Sequence, residues 1–432
     1  MAEADWREEL DGWLAPFLAT LGHEKRRRWA PVYLQGLIGP GERKSLQPMA
    51  ARLGLTGHDQ LQHFIASTAW SDAPLRQLLV ERADALVGGS DAVLVIDDTA
   101  LPKQGRLSVG VARQYCGCLG KRANCQVLVS VTLARGEVPV PVSLGLFLPE
   151  EWARDPDRCA KAGVPDERRR AEPKTDIALG EVDLIIAAGA RFGRVVADAG
   201  YGISAAFRQG LSGRGLTWAV GIPRVQNVYS TGVELLWPRA ATGRPRKHPV
   251  PSEKPIPAEV ALVGAEWRRV SWRRGTKGPL AAEFAASRVR PAEGAQLRNG
   301  WHLPGDEVWL IGEQRASGER KYYLSNLPAG TPLEELAAVI KARWVCEQAH
   351  QQMKEELGLD HFEGRSWTGL HRHALMTMIA FAFLQHLRLK ERGEKRGRKA
   401  VRTTTPADLA HGPAPSGRAV QPRPCPVPVL RD

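Results

Sequence analysis

Several absences narrow what this 432-residue chain can be. No apolar run approaches the ~20 residues a bilayer span needs. The opening MAEADWREEL is acidic and amphipathic rather than a secretory signal, so a cytoplasmic location without membrane partners is expected. Cysteine is scarce: six residues do not make a disulfide scaffold in a chain this long. Cys116, Cys118 and Cys125 lie close together but lack the paired C-x-x-C spacing of a zinc site. A glycine-rich phosphate loop, an H-E-x-x-H pair and a G-x-S-x-G elbow are all missing, which removes the sequence grounds for the chemistries they serve. Acid is short as well. Sixty Lys and Arg against 47 Asp and Glu leave +13, a balance that calls for a polyanionic partner, nucleic acid before an anionic membrane.

What is present belongs to a globular protein: 43% hydrophobic and 25% charged residues. The length allows two or three domains, or one large α/β domain with an insertion. From Trp6 to Leu21 apolar residues recur at helical spacing. Ser45 to Leu53 and His58 to Ser67, joined by GLTG, read as two short helices, compatible with helix-turn-helix and equally with any helical bundle. Asp72 is placed to cap a further helix through Leu86. Residues 1–88 therefore read as an all-helical domain suited to DNA binding.

The pattern then changes. DAVLVID (91–97) predicts a strand ending in carboxylates, followed by strands at Gln126–Ala134 and Val138–Leu148; Pro139 and Pro141 put the start of the last at a sheet edge. Thr175–Ala190 predicts a helix. RVVADAGY (194–201) predicts a short strand with Asp198 at its carboxyl end, where open α/β sheets bind ligands. Leu216–Ile222 predicts one more strand. Residues 223–319 alternate β-like runs with Pro/Gly breaks and read as a β-rich insertion, whose Trp237, Trp267, Trp272, Trp301 and Trp309 would fill a small core. Leu375–Leu389 is apolar on nearly all sides and predicts a buried helix. From Lys390 the chain is basic, then rich in Pro, Gly, Ala and Thr, as expected of a disordered tail.

One stretch organises the rest. KARWVCEQAHQQMK (341–354) predicts an amphipathic helix with Arg343, Glu347 and Lys354 along one face. An ordinary salt-bridged surface gives the same spacing. The other carboxylates, however, stand at strand ends: Asp97 and Asp98 on the first, Asp198 on a later one. Strand ends and helix faces are rigid mounts, and paired Mg²⁺ ions held by such oxygens can activate a hydroxyl and stabilise a leaving oxygen at phosphorus.

The segments VLVIDDTALPKQGRLSVGVARQYCGCLGKRANCQV (93–127), VVADAGYG (195–202) and RWVCEQAHQQMKEELGLDHFEGRSW (343–367) together resemble bacterial insertion-sequence transposases of the DDE type. The third is similar to their Y-x2-R-x3-E-x6-K signature: Arg343, Glu347 and Lys354 match, and Ile340 replaces the tyrosine. The resemblance implies an α/β, RNase H-like mixed sheet flanked by helices, with the core at 89–222 and 320–389. It also implies a metal-dependent endonuclease that cuts element ends and transfers strands. Asp97, Asp198 and Glu347 would ligate two Mg²⁺ ions (Mn²⁺ substituting), and Asp97 is favoured over Asp98 because it stands two residues before Thr99. Arg343, Lys354, Lys103 and Arg365 would contact phosphates of double-stranded DNA, with a homodimer on the terminal repeats and on target DNA. A domesticated or truncated, non-catalytic DNA-binding protein and a structure-specific nuclease on the same core are the alternatives.

Overall fold

Val93, Leu94, Val95 and Ile96 are all buried, as a strand covered on both faces requires. They begin β1 (Val93–Pro102), the strand on which the molecule is built. The computed structural model describes residues 5–66, 70–237, 248–275, 278–297 and 299–403.

Five helices precede β1: α1 (Asp5–Thr20), α2 (Glu24–Ile38), α3 (Leu46–Arg52), α4 (Asp59–Ala66) and α5 (Ala73–Val87). Asp72 occupies the N-cap position of α5, but its side chain accepts no bond from the helix. The expected capping bond is therefore not made.

β1 pairs antiparallel with β3 (Lys121–Arg135), which carries β2 (Ala112–Cys116) and β4 (Val138–Leu146) on its other edge. On its far side β1 pairs parallel with β5 (Arg194–Ala197), and β5 with β6 (Trp218–Ile222). The order β4-β3-β1-β5-β6, with only β3 reversed, is that of an RNase H-like sheet. Among the described residues β4 pairs with β3 alone, as its prolines lead one to expect. The connections carry α6 (Glu150–Ala153), α7 (Pro156–Lys161), α8 (Lys174–Ala187), α9 (Ala199–Gly202) and α10 (Ala205–Gly213).

Between 223 and 319 lie β7 (Asn227–Tyr229), β8 (Leu235–Leu236), β9 (Val250–Pro251), β10 (Ile256–Pro257), α11 (Ala258–Ala261), β11 (Arg268–Gly275), β12 (Gly278–Gln296), β13 (His302–Pro304) and β14 (Val308–Gln314). These strands do not stand apart from the core. β12 pairs with β14, β14 with β15 (Arg320–Ser325), and β15 with β6, so the segment extends the central sheet. Trp272 meets Phe284 edge-on and both join the central apolar cluster, whereas Trp237 is exposed.

One face of the sheet is covered by α12 (Leu333–Lys341), whose Leu333, Leu336, Ala337, Val339 and Ile340 pack with Val95, Val196 and Ile311. The chain then breaks at Ala342–Arg343 before α13 (Trp344–Glu355). The single helix expected over 341–354 is thus two, and Arg343 sits at the junction. Ile340 is buried in the cluster, so nothing polar faces outward at the signature's tyrosine position. The last helix, α14 (Trp367–Thr403), has a nearly all-buried first half, including Leu375, Met376, Ile379 and Phe383. The chain divides into a unit of residues 1–387 and another of residues 388–432. The disordered tail expected from Lys390 is helical through Thr403, where α14 continues, and from residue 404 onward the expectation lies outside the described residues.

Candidate active site

Parallel pairing sets two carboxylates side by side. Ile96 is in register with Ala197, so Asp97 and Asp198 follow at the same level on neighbouring strands, which lie about 4.8 Å apart. β5 ends there while β1 continues to Pro102, opening the crevice where ligands of α/β sheets bind. Asp198 is the N-cap of α9, its Oδ1 accepting from Gly200 N–H at 2.9 Å and Tyr201 N–H at 3.3 Å. This short-range bonding fixes the side chain where the strand stops.

Glu347 arrives from α13. That helix is docked on β3 by His350, whose Nε2 lies 2.7 Å from Ser130 Oγ, and by Cys346, whose Sγ lies 3.6 Å from Thr132 Oγ1. Ser130 is the register partner of Asp97. One turn of helix before His350, Glu347 is therefore brought beside the aspartate strand. Arg343 completes the set: one terminal nitrogen donates to Asp97 Oδ2, the other to Glu347 Oε1 at 2.5 Å. The charges of Asp97, Glu347 and Asp198 all raise the Arg343 pKa, against the lowering effect of burial. Arg343 thus bonds two of the acids, Asp97 and Glu347, and feels the charge of the third, Asp198.

Burial pushes the Asp97 carboxyl up to about 6, with Arg343 opposing the shift and Asp198 adding to it. Two residues on, on the same face, the Thr99 hydroxyl is buried without a partner among the described residues. Asp98 points the other way, accepting from Tyr201 Oη at 2.6 Å and Lys174 Nζ at 2.5 Å. Tyr201 therefore binds Asp198 through its amide and Asp98 through its hydroxyl.

The remaining candidates are dispersed. Lys354 is half-exposed on α13, and its charge is the second cause, after burial, of the His350 pKa falling to about 3. Arg365 is exposed on the loop after α13. Lys103 is not free to meet solvent: its ammonium donates to the carbonyls of Asp360 at 3.1 Å and Phe362 at 2.7 Å. It grips that loop. Tyr201, Lys174 and His350 were not singled out from the sequence; the tyrosine lay in plain view three residues after Asp198, but nothing local says its hydroxyl reaches back to β1.

The family model for the DDE superfamily endonuclease matches residues 16–279. The chain belongs to that family. The match includes Asp97 and Asp198 and stops before Glu347, which rests on its spacing and geometry. A probable transposase for insertion sequence element IS701 from Microchaete diplosiphon is 30% identical over 169 residues, 39% of this chain and 41% of that protein. The chain thus aligns with about two-fifths of that relative's length. Among solved structures, the cryo-EM structure of the piggyBac transposase synaptic complex with hairpin DNA aligns over 90% of this chain and 74% of that one, at 11% identity and a TM-score of 0.39.

Family membership implies a divalent metal. The donor chemistry at the crevice fits one: hard carboxylate oxygens, one of them desolvated, beside an unpartnered hydroxyl. Among the described residues no three ligand groups close into a ready metal cluster. The internal cation, Arg343, lies among them instead.

Proposed function

We propose that this chain is a DNA transposase that cuts and rejoins the ends of an insertion sequence. The observation that carries the reading is the bridging of Asp97 and Glu347 by Arg343, with Asp198 level with Asp97 on the neighbouring strand, at the carboxyl edge of an RNase H-like sheet. Asp97, Asp198 and Glu347 would hold Mg²⁺, with Mn²⁺ able to substitute. Bound there, the ions would activate the attacking oxygen and stabilise the leaving oxygen of an in-line displacement.

The chain's own residues do the positioning. His350 and Cys346 lock α13 to β3 and so fix Glu347 relative to Asp97. Tyr201 ties the Asp198 turn to β1. Arg343 pairs with Asp97 and Glu347 and is placed to offer a cation to a scissile phosphate. Lys354, some 10 Å along the helix from Glu347 at ~1.5 Å per residue, reaches a different phosphate. Arg365 adds a contact from the loop that Lys103 holds. The partner is double-stranded DNA, terminal repeats and target, and two ends to be joined imply a homodimer on DNA. Among the described residues no helix is long and apolar enough to cross a membrane.

The test is a joining assay on supercoiled plasmid carrying the genomic sequence that flanks the gene. Nicks at repeat ends together with joined products are expected. Cutting without joining would favour a structure-specific nuclease, and binding without cutting a non-catalytic relative.

A further inference from the structure

A basic recess of about 480 Å³ lies away from the carboxylates, between α3–α4 and the loop that follows α13. Lys44, His58, Lys161, His361 and Arg365 line it, and the single carboxylate among its lining residues, Glu363, is paired with Arg43 at 2.5 Å. Its walls are tied together by bonds between distant segments. Lys44 N–H donates to His361 Nδ1 at 3.0 Å, and Trp367 N–H to the carbonyl of Ala162 at 2.8 Å, fixing the end of α7 and hence Lys161. Lys103 anchors the loop to the end of β1. Lys161 and Arg365 are exposed and, among the described residues, have no ion-pair partner. Two unneutralised cations on a rigid rim, above a recess with one already-paired acid, make a site for an anion.

We propose that this recess is a second backbone-phosphate subsite for duplex DNA. It rests on the DNA reading above, and commits it to a place. Lys103 lies six residues beyond Asp97 on or just past β1, about 20 Å at ~3.3 Å per residue. At ~3.4 Å per base pair that is about six base pairs from the cut. The duplex would then run from the carboxylates along β1 to the loop at 360–366 and the α3–α4 pair. Arg365 and Lys161 would each neutralise one phosphate.

The test is fluorescence anisotropy of a labelled random-sequence duplex, titrated in EDTA across a salt series with the full chain. For Lys161→Ala combined with Arg365→Ala, binding at low salt should weaken about tenfold or more. The slope of log affinity against log salt should fall by nearly two units, at ~0.9 per phosphate. Glu363→Gln should act in the opposite sense, tightening binding a few-fold, a change that loss of folding would not produce. Circular dichroism melts check that both variants stay folded. A steep parental slope kept unchanged in the double variant would overturn the subsite while leaving the transposase reading intact. No binding of DNA by the parent would overturn both.

Discussion

Arg343 and Asp97, 246 residues apart in the chain, are joined by a charge-assisted hydrogen bond, and the same guanidinium holds Glu347 on the next turn. The centre therefore carries its own counter-ion, and a divalent cation held there, as proposed, would compete with Arg343 for the same oxygens.

Removing that counter-ion has a two-sided consequence. Arg343→Ala leaves three acids facing one another, one of them desolvated, and should cost about 2 kcal/mol, less than the 3–5 of a fully buried pair because the side chain is 29% exposed. Added Mg²⁺ should restore much of the loss. In thermal melts the variant should gain more from Mg²⁺ than the parent does; equal gains would mean that Arg343 and the metal do not share a site.

Asp97 sets a pH dependence. Its folded pKa of about 6 lies above the ~3.9 of an unfolded aspartate, so the folded state binds the proton more tightly. The stabilisation is complete below about pH 4 and is lost as pH rises through 6. Two units correspond to roughly 3 kcal/mol at neutral pH. In EDTA, Asp97→Asn should therefore melt above the parent at neutral pH, with the gap closing near pH 4. A variant that melts lower at neutral pH would show that the bond to Arg343 outweighs burial.

Tyr201→Phe tests whether the Asp198 turn must be tied to β1. Loss of the 2.6 Å bond to Asp98 should cost about 1–2 kcal/mol and slow cleavage about tenfold. DNA affinity in gel shifts should not change. A merely structural tyrosine would lower the melting temperature and leave the cleavage rate of folded protein as it was.

Much of this was legible in the sequence, for reasons that differ by element. The β-branched run at 93–96 and the apolar RVVA at 194–197 announce strands locally, and each ends on its aspartate. Glu347 is announced by spacing. The break at Ala342–Arg343 is not, because helix propensity continues through it and only the pull of Asp97 and Glu347 on one guanidinium shows what the junction serves. The sheet's extension beyond β6 escaped as well. β15 finds β6 across about a hundred residues, and that pairing is set by tertiary contacts rather than local pattern. Lys103 is expected as a phosphate contact along with Arg343, Lys354 and Arg365; here two carbonyls of a loop far along the chain receive its ammonium.

The most direct test of the carboxylate centre is a cleavage assay on supercoiled plasmid in Mg²⁺, run beside a gel shift, for Asp97→Asn, Asp198→Asn, Glu347→Gln and Asp98→Asn. The first three should lose nicking by about a thousandfold or more, as expected when a group that stabilises the transition state is removed, and still bind DNA. Asp98→Asn, on the opposite face of β1, should keep measurable cutting. Normal cutting by Glu347→Gln, or loss confined to Asp98→Asn, would contradict the assignment.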